Sequence, residues 1–111
     1  MSENQDQQPS PNAAPDRAAL GDFDADPHDR PFVDGEPEVV ALSLSAGESV
    51  PAHSHPDRVV VCHVLDGELT LRFDGEAHDA AAGDLVRFDG DRAVSPLSRT
   101  DCETLLVLAR R

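Results

Sequence analysis

Short runs of alternating apolar and polar residues, separated by turn signals, most limit the folds open to this chain. Leu69, Leu71 and Phe73 alternate strictly with polar residues, which is the period of a β-strand with one apolar and one solvated face. Asp74-Gly75 follows, a pair typical of a tight hairpin turn. Similar runs recur about every ten residues along most of the chain, without a sustained helical period. We therefore predict an all-β fold of about six to eight short strands, a sandwich or barrel.

The first 30 residues differ in composition from the rest. They are rich in Gln, Asn, Ser, Pro, Ala and Asp and carry few large apolar side chains, so they cannot bury enough surface to offset the entropy lost on ordering. We predict a disordered acidic tail over residues 1–30 and one β-domain over residues 31–111. His28 lies in this tail and His78 follows the predicted hairpin, and both are expected to be exposed.

The charge balance limits the partners. The chain has 22 Asp and Glu against nine basic residues, all of them Arg, for a formal net charge of −13. Such a field repels nucleic acid phosphates and anionic lipid surfaces, so we expect no nucleic acid partner and no membrane partner. It favours a neutral or cationic ligand or a metal ion. An Asp-rich chain without Lys also resembles the cytoplasmic proteins of extreme halophiles, in which concentrated salt screens the self-repulsion.

Location follows from two further features of the sequence. No apolar run approaches the roughly 20 residues of a membrane span, and the first residues lack the basic start and apolar core of a signal peptide. Cys62 and Cys102 stand far apart in apolar, strand-like runs, which indicates buried thiols and not a secreted disulfide framework. We expect a cytoplasmic protein.

Two histidines and three glycine-marked turns carry the most specific pattern in the chain. His53 and His55 are one residue apart in an extended segment, so their side chains point to the same side and can share one metal ion. Gly47 precedes this pair by five intervening residues, and Gly67 follows it after eleven. A second element begins at Gly83-Asp84 and continues through a short strand to the turn at residues 89–91.

This frame resembles the two sequence motifs of the cupins. The resemblance covers residues 37–109 and implies a small antiparallel β-barrel, the double-stranded β-helix or jelly roll, that pairs as a homodimer through its outer sheet. It also implies that His53 and His55 are ligands of a divalent transition metal, either Zn, Fe, Mn, Ni or Cu. The chain departs from the family at the other two ligand positions, where Val60 replaces a Glu and Val94 replaces a His.

A metal site normally needs three or four protein ligands, so other side chains have to contribute if the site is real. The candidates are Asp57, Cys62 and His63. If Val60 takes the inward position of the missing Glu, strand parity places Cys62 inward and His63 outward, although one β-bulge would reverse that choice. Asp57 lies in a loop at the barrel mouth and can turn toward the pair.

The leading hypothesis for function is a module that binds a small molecule or a metal ion at His53 and His55. The alternatives are a metal-dependent enzyme of the dioxygenase or isomerase class, as the resemblance implies, and a metal-free binding or sensory barrel. No glycine-rich phosphate loop is present, so we expect no nucleotide cofactor. Four arginines could hold a carboxylate ligand if they converged inside the barrel, namely Arg72, Arg87, Arg92 and Arg99.

Overall fold

The computed structural model describes residues 15–20, 28–32 and 35–111, and these form an all-β fold of two antiparallel sheets. The eight strands are β1 (His28–Asp29), β2 (Glu38–Leu44), β3 (Arg58–Asp66), β4 (Glu68–Phe73), β5 (Glu76–Ala81), β6 (Leu85–Asp89), β7 (Ser95–Ser98) and β8 (Cys102–Arg110). Five strands form one sheet in the order β1-β2-β8-β3-β6, and three form the other in the order β5-β4-β7. The predicted all-β architecture is confirmed.

The core lies between the inner faces of the two sheets. In β3, the inner residues Val60, Cys62 and Val64 are buried, whereas Val59 and Val61 are only half-buried. The same period of two places Leu69, Leu71 and Phe73 of β4 in the core of the opposite sheet. Burying one such side chain stabilises the fold by about 1.5–3 kcal/mol. The alternation read from the sequence therefore identifies the inner faces of these strands.

The predicted hairpin and thiols are present. Asp74 and Gly75 connect β4 to β5 with φ values of 48° and 87°, the two positive angles that a tight two-residue hairpin turn requires. Cys62 and Cys102 are free and buried. Thr70, on the face of β4 predicted to be solvated, is buried. Its hydroxyl donates to Asp79 Oδ1 of β5 at 2.7 Å, which satisfies its hydrogen-bonding capacity there.

The first strand starts inside the predicted tail. His28 and Asp29 pair with Leu42 and Ala41 of β2 at the edge of the five-stranded sheet. Residues 1–14 and 21–27 lie outside the described residues, so the tail prediction is left untested there. In the described ranges, no helix is long and apolar enough to cross a membrane.

Candidate functional site

Backbone hydrogen bonds hold the His53–His55 segment along the free edge of β7. His53 and Val94 exchange two of them, with N···O distances of 3.1 and 2.9 Å. The His55 N–H donates to Gly90 O at 2.6 Å, and the Gly90 N–H donates to Arg58 O at 2.8 Å. A Cβ on Gly90 would lie 2.4 Å from His55 O, so only glycine allows the turn after β6 to approach this closely.

The two imidazoles face each other at the mouth of the barrel. Their ring centroids are 4.8 Å apart and their planes are inclined by 81°. His53 Nδ1 lies 3.0 Å from the carbonyl oxygen of Pro51. Because a carbonyl only accepts, Nδ1 carries the proton there and Nε2 keeps a free lone pair. This spacing agrees with two rings that share an ion about 2.1 Å from each ligating nitrogen.

Apolar side chains occupy the other two ligand positions of the cupin frame. Val60 is 1% exposed and Val94 is 4% exposed, and both belong to the core cluster. Neither side chain has a donor atom. The fit of this donor set to a four-ligand metal centre is therefore poor.

The three candidate replacements lie on β3 or in the turn before it. Cys62 points inward, as strand parity predicts, and its burial, with a smaller contribution from Cys102, raises the pKa of its thiol to about 12. His63 is outward, in register with Leu105 of β8 and Leu85 of β6.

Asp57 is exposed in the turn before β3, where its φ of 64° is positive and its backbone N–H donates to Asp91 Oδ1 at 3.1 Å. Among the described side chains, no group of three or more His, Cys, Asp and Glu is arranged to hold a metal ion. Additional ligation by Cys62, His63 or Asp57 is thus still a sequence-based expectation.

His28 is the functional candidate that the sequence reasoning missed. It is exposed, as predicted, but β1 brings it beside the other two histidines. Burial lowers the pKa of His28, and the charges of His53 and Arg30 lower it further. The pKa of His55 is lowered by burial first and then by His53, Arg30, Arg58 and His28. Nothing in the sequence signals this placement, because β1 has only two residues. A strand that short shows no alternation of apolar and polar residues.

An ion-pair network borders this end of the barrel. Glu36 Oε1 accepts from Arg58 Nη1 at 2.6 Å, and Glu36 Oε2 lies 3.6 Å from Arg110 Nε. Glu38 contacts Arg30 through one carboxylate oxygen and lies 3.9 Å from Arg58 Nη2 through the other. The network ties β1, β2, β3 and β8 together beside the imidazoles.

The four arginines that the sequence offers for a ligand carboxylate do not meet in the barrel. Arg72 donates to Ser95, Arg92 pairs with Glu76 at 3.3 Å, and Arg99 pairs with Asp79 at 3.1 Å. Arg87 is in register with Val61 on the outer face of the five-stranded sheet. They therefore serve strand pairs or the surface, and Arg30 and Arg58 are the guanidinium groups near the histidines.

The comparison with protein families agrees with this architecture. The Cupin_2 model, described as a cupin domain, matches residues 40–107, more than half of the chain. No curated protein matches the sequence.

Several solved structures share the fold. An RmlC-like cupin protein from Desulfovibrio desulfuricans is 24% identical, with a TM-score of 0.67 over 78% of this chain and 86% of that chain. A predicted oxalate decarboxylase from Thermotoga maritima is 26% identical, with a TM-score of 0.60 over 67% of this chain and 66% of that one. KdgF from Halomonas sp. is 13% identical, with a TM-score of 0.73 over 88% of this chain and 96% of that one. The chain belongs to the cupin family.

Proposed function

We propose that this cupin is a small-molecule-binding module whose ligand site is the barrel mouth at His53 and His55. The observation that carries the proposal is the geometry of the two rings, which are 4.8 Å apart and half-buried. Half-burial leaves part of each ring accessible to a ligand. The free Nε2 atom of His53 accepts a proton from a ligand or binds a transition ion.

The donor set favours binding over metal-dependent catalysis. A catalytic metal centre of the dioxygenase or isomerase kind keeps three or four protein ligands, and here Val60 and Val94 replace two of them. A divalent ion such as Zn, Fe, Mn, Ni or Cu therefore binds weakly to His53 and His55, unless a third group from the chain or the ligand joins them. The similar structure described as a predicted oxalate decarboxylase keeps an enzyme as the alternative.

Ion titration of the wild-type protein tests the site. A bound ion stabilises the native state by RT ln(1 + [L]/Kd), about 2.7 kcal/mol at a hundredfold excess over Kd. We expect Zn, Ni or Cu to raise the melting temperature only at high ion concentration. The rise should shrink at acid pH, as the pH falls through the lowered pKa of His55 and a proton competes with the ion for its ring.

The double variant His53→Ala with His55→Ala is expected to lose this response and to keep a folded barrel. The protein should be purified in high salt without a metal-affinity tag and its metal content determined by elemental analysis. A stoichiometric resident metal contradicts the weak-binding proposal. No response to any of the five ions leaves a metal-free binding barrel.

The outer face of the five-stranded sheet supports a homodimer. This face is apolar across three strands and its side chains are half-buried, in the register Val39–Val107–Val61 and Ala41–Leu105–His63. Leu85 extends the patch and is 68% exposed. A contiguous apolar sheet face is a common protein interface, and β3 has the continuous apolar sequence of a strand buried on both sides.

Substitution of Val107 at the middle of this face tests the dimer. We expect Val107→Asp to convert the dimer to a monomer, because pairing two copies would bury two unpaired carboxylates. Ala77→Asp is the matched control, since Ala77 is exposed and in register with Arg72 on the other sheet. Sedimentation at high salt measures both. A wild-type monomer, or two variants that dimerise equally well, argues against this interface.

We further propose a halophilic, cytoplasmic protein, supported by the net charge of −13, the absence of Lys and the two buried free thiols. Salt screens favourable ion pairs as well as repulsion, but exposed pairs contribute only about 0–1 kcal/mol each. Net repulsion between the carboxylates therefore affects stability more than the loss of these pairs. We expect the free energy of unfolding in urea to rise between about 0.1 M and about 2 M potassium chloride. Equal stability in both solutions contradicts the halophilic assignment.

A further inference from the structure

Two loops meet beside the imidazole pair, residues 55–57 before β3 and residues 89–91 at the end of β6, and we call their contact the loop junction. The His55 N–H donates to Gly90 O at 2.6 Å, and Gly90 is buried against the same segment. His53 is held elsewhere, by its backbone bridge to the residue before β7. The position of His55 relative to His53 therefore depends on the loop junction.

Arg111, which follows β8, contacts both loops of the junction. Its backbone N–H donates to Asp57 O at 3.2 Å. Its guanidinium donates to Asp89 through Nη2, and the same nitrogen lies 3.5 Å from Asp91 Oδ2. The Asp91 N–H donates to Asp89 Oδ1 at 2.9 Å, so the two carboxylates that Arg111 contacts are also held to each other. One residue thus links the end of β8 to the loop before β3 and to the loop after β6.

The loop before β3 depends on these contacts for its shape. Asp57 has a φ of 64°, a left-handed conformation that costs an L-residue free energy and persists only when its surroundings hold it. Its backbone is held on both sides: the N–H donates to Asp91 Oδ1 at 3.1 Å, and the carbonyl oxygen accepts from the Arg111 N–H. The partner on one side is the loop after β6, and the partner on the other side is Arg111.

The charges at the junction require a cation. Asp57, Asp89 and Asp91 lie near Arg111, and in a protein with a net charge of −13 these carboxylates repel one another. Among the described side chains, Arg111 is the only cation paired with Asp89 or Asp91. Its hydrogen bond lowers the pKa of Asp89, to which Arg92 adds a smaller charge effect while pairing with an acid of β5. Without Arg111, the two loops would present unpaired like charges to each other.

We propose that Arg111 is a positioning residue of the ligand site: it holds the loop after β6 against the His55 loop and so fixes the separation of the two imidazoles. This inference rests on the proposed function of His53 and His55. Rings that are already held in place bind a shared ion more tightly, because less conformational freedom is lost on binding.

Two variants that change the local charge in opposite directions test this role. Arg111→Gln removes a positive charge and Asp89→Asn removes a negative one, but both break the same ion pair. A charge effect on a bound cation would therefore have opposite signs in the two variants, and high salt screens it. We expect both variants to raise the Kd for zinc about threefold to tenfold, as measured by isothermal titration calorimetry in high salt at constant pH. Since an exposed ion pair contributes little to stability, their urea midpoints should stay close to that of the wild type.

Hydrogen exchange of single backbone amides tests the junction without any ligand. The His55 N–H donates across the junction, whereas the His53 and Val94 N–H groups donate across the neighbouring bridge. We expect Arg111→Gln and Asp89→Asn to speed the exchange of the His55 amide about threefold to tenfold and to leave the His53 and Val94 amides unchanged, because only the junction opens more often.

Arg99→Gln is the matched control. Arg99 is also exposed and ion-paired, with Asp79 at 3.1 Å, but it lies beside the three-stranded sheet. We expect wild-type zinc affinity and wild-type exchange from this variant. A change as large as in Arg111→Gln means that the loss of any exposed arginine is sufficient, and the positioning role is then wrong.

The remaining outcomes separate this inference from the proposed function. Zinc Kd values that change in opposite directions in Arg111→Gln and Asp89→Asn, or in neither, overturn the positioning role and leave the proposed function intact. Unchanged exchange of the His55 amide shows that Arg111 does not hold the junction, which also overturns it. A wild type that binds no zinc overturns the role in holding a shared ion, whatever the exchange rates, and removes the metal from the proposed function as well.

Discussion

Gly67→Ala is expected to destabilise the fold by about 2–5 kcal/mol, one of the largest effects of a single methyl group in this chain. Gly67 has a φ of 85°, a conformation that costs an L-residue about 1–2 kcal/mol. A Cβ there would also lie 2.2 Å from the carbonyl oxygen of Asp101 and 2.9 Å from the Cα of Cys102. Both contacts are with backbone, so β4 or β8 has to move, at a further cost of about 1–3 kcal/mol.

Gly75→Ala separates the two causes. Gly75 has a nearly identical φ of 87°, but nothing lies within 4 Å of a Cβ at this position. We expect a loss of about 1–2 kcal/mol, from strain alone. Urea unfolding in high salt measures both variants against the wild type, with unchanged m-values as evidence that only stability differs. Equal losses in the two variants indicate that the strands at Gly67 yield easily and that the close approach contributes nothing.

The same glycine explains why the fold was predictable. Gly67 closes the first motif because the turn between β3 and β4 packs directly on the start of β8, and only glycine fits. The turn signal is therefore local in sequence, although its cause is a contact with residues about 35 positions later. The strands were predictable for a related reason. A strand buried on one face has apolar residues at every second position of its sequence.

The orientation of β3 side chains was also predictable in part. Parity from Val60 places Cys62 inward and His63 outward, and the sheet register confirms it over this stretch. The irregularity lies further on, between Val64 and Asp66. A bulge three residues earlier would have exchanged Cys62 and His63 at the inner face, and nothing in the local sequence distinguishes the two positions.

The surroundings of His53 and His55 could not be predicted, because they depend on contacts between distant segments. β1 has two residues and is defined by its pairing with β2, so it has no pattern of its own to detect. Arg58 and Glu36 are 22 positions apart but 2.6 Å apart in space. Composition describes the total charge of −13 and cannot tell which acids pair with which arginines.

Restoring the two missing family ligands is expected to produce the largest metal response. In the double variant Val60→Glu with Val94→His, the buried carboxylate should destabilise the protein without metal by several kcal/mol, because Val60 is 1% exposed. A divalent ion then neutralises that carboxylate and has four protein ligands with His53 and His55. At the same ion concentration, we expect zinc or manganese to raise the melting temperature by much more than in the wild type, because the lower Kd gives a larger ratio of ion concentration to Kd.

Val64→Glu with Val94→His is the matched control for this gain. Val64 is 0% exposed on the same face of β3, so the cost of burying the carboxylate is similar, but its place in the strand is four residues from the ligand position. We expect no comparable rescue by metal. The single variant Val94→His keeps the core free of a buried charge and tests the site with three imidazoles if neither double variant folds. Two results would contradict this explanation: equal rescue of both double variants, or no added metal response in Val94→His. Either result means that Val60 and Val94 do not adjoin an ion held by His53 and His55. The two valines would then not be the reason for weak metal binding.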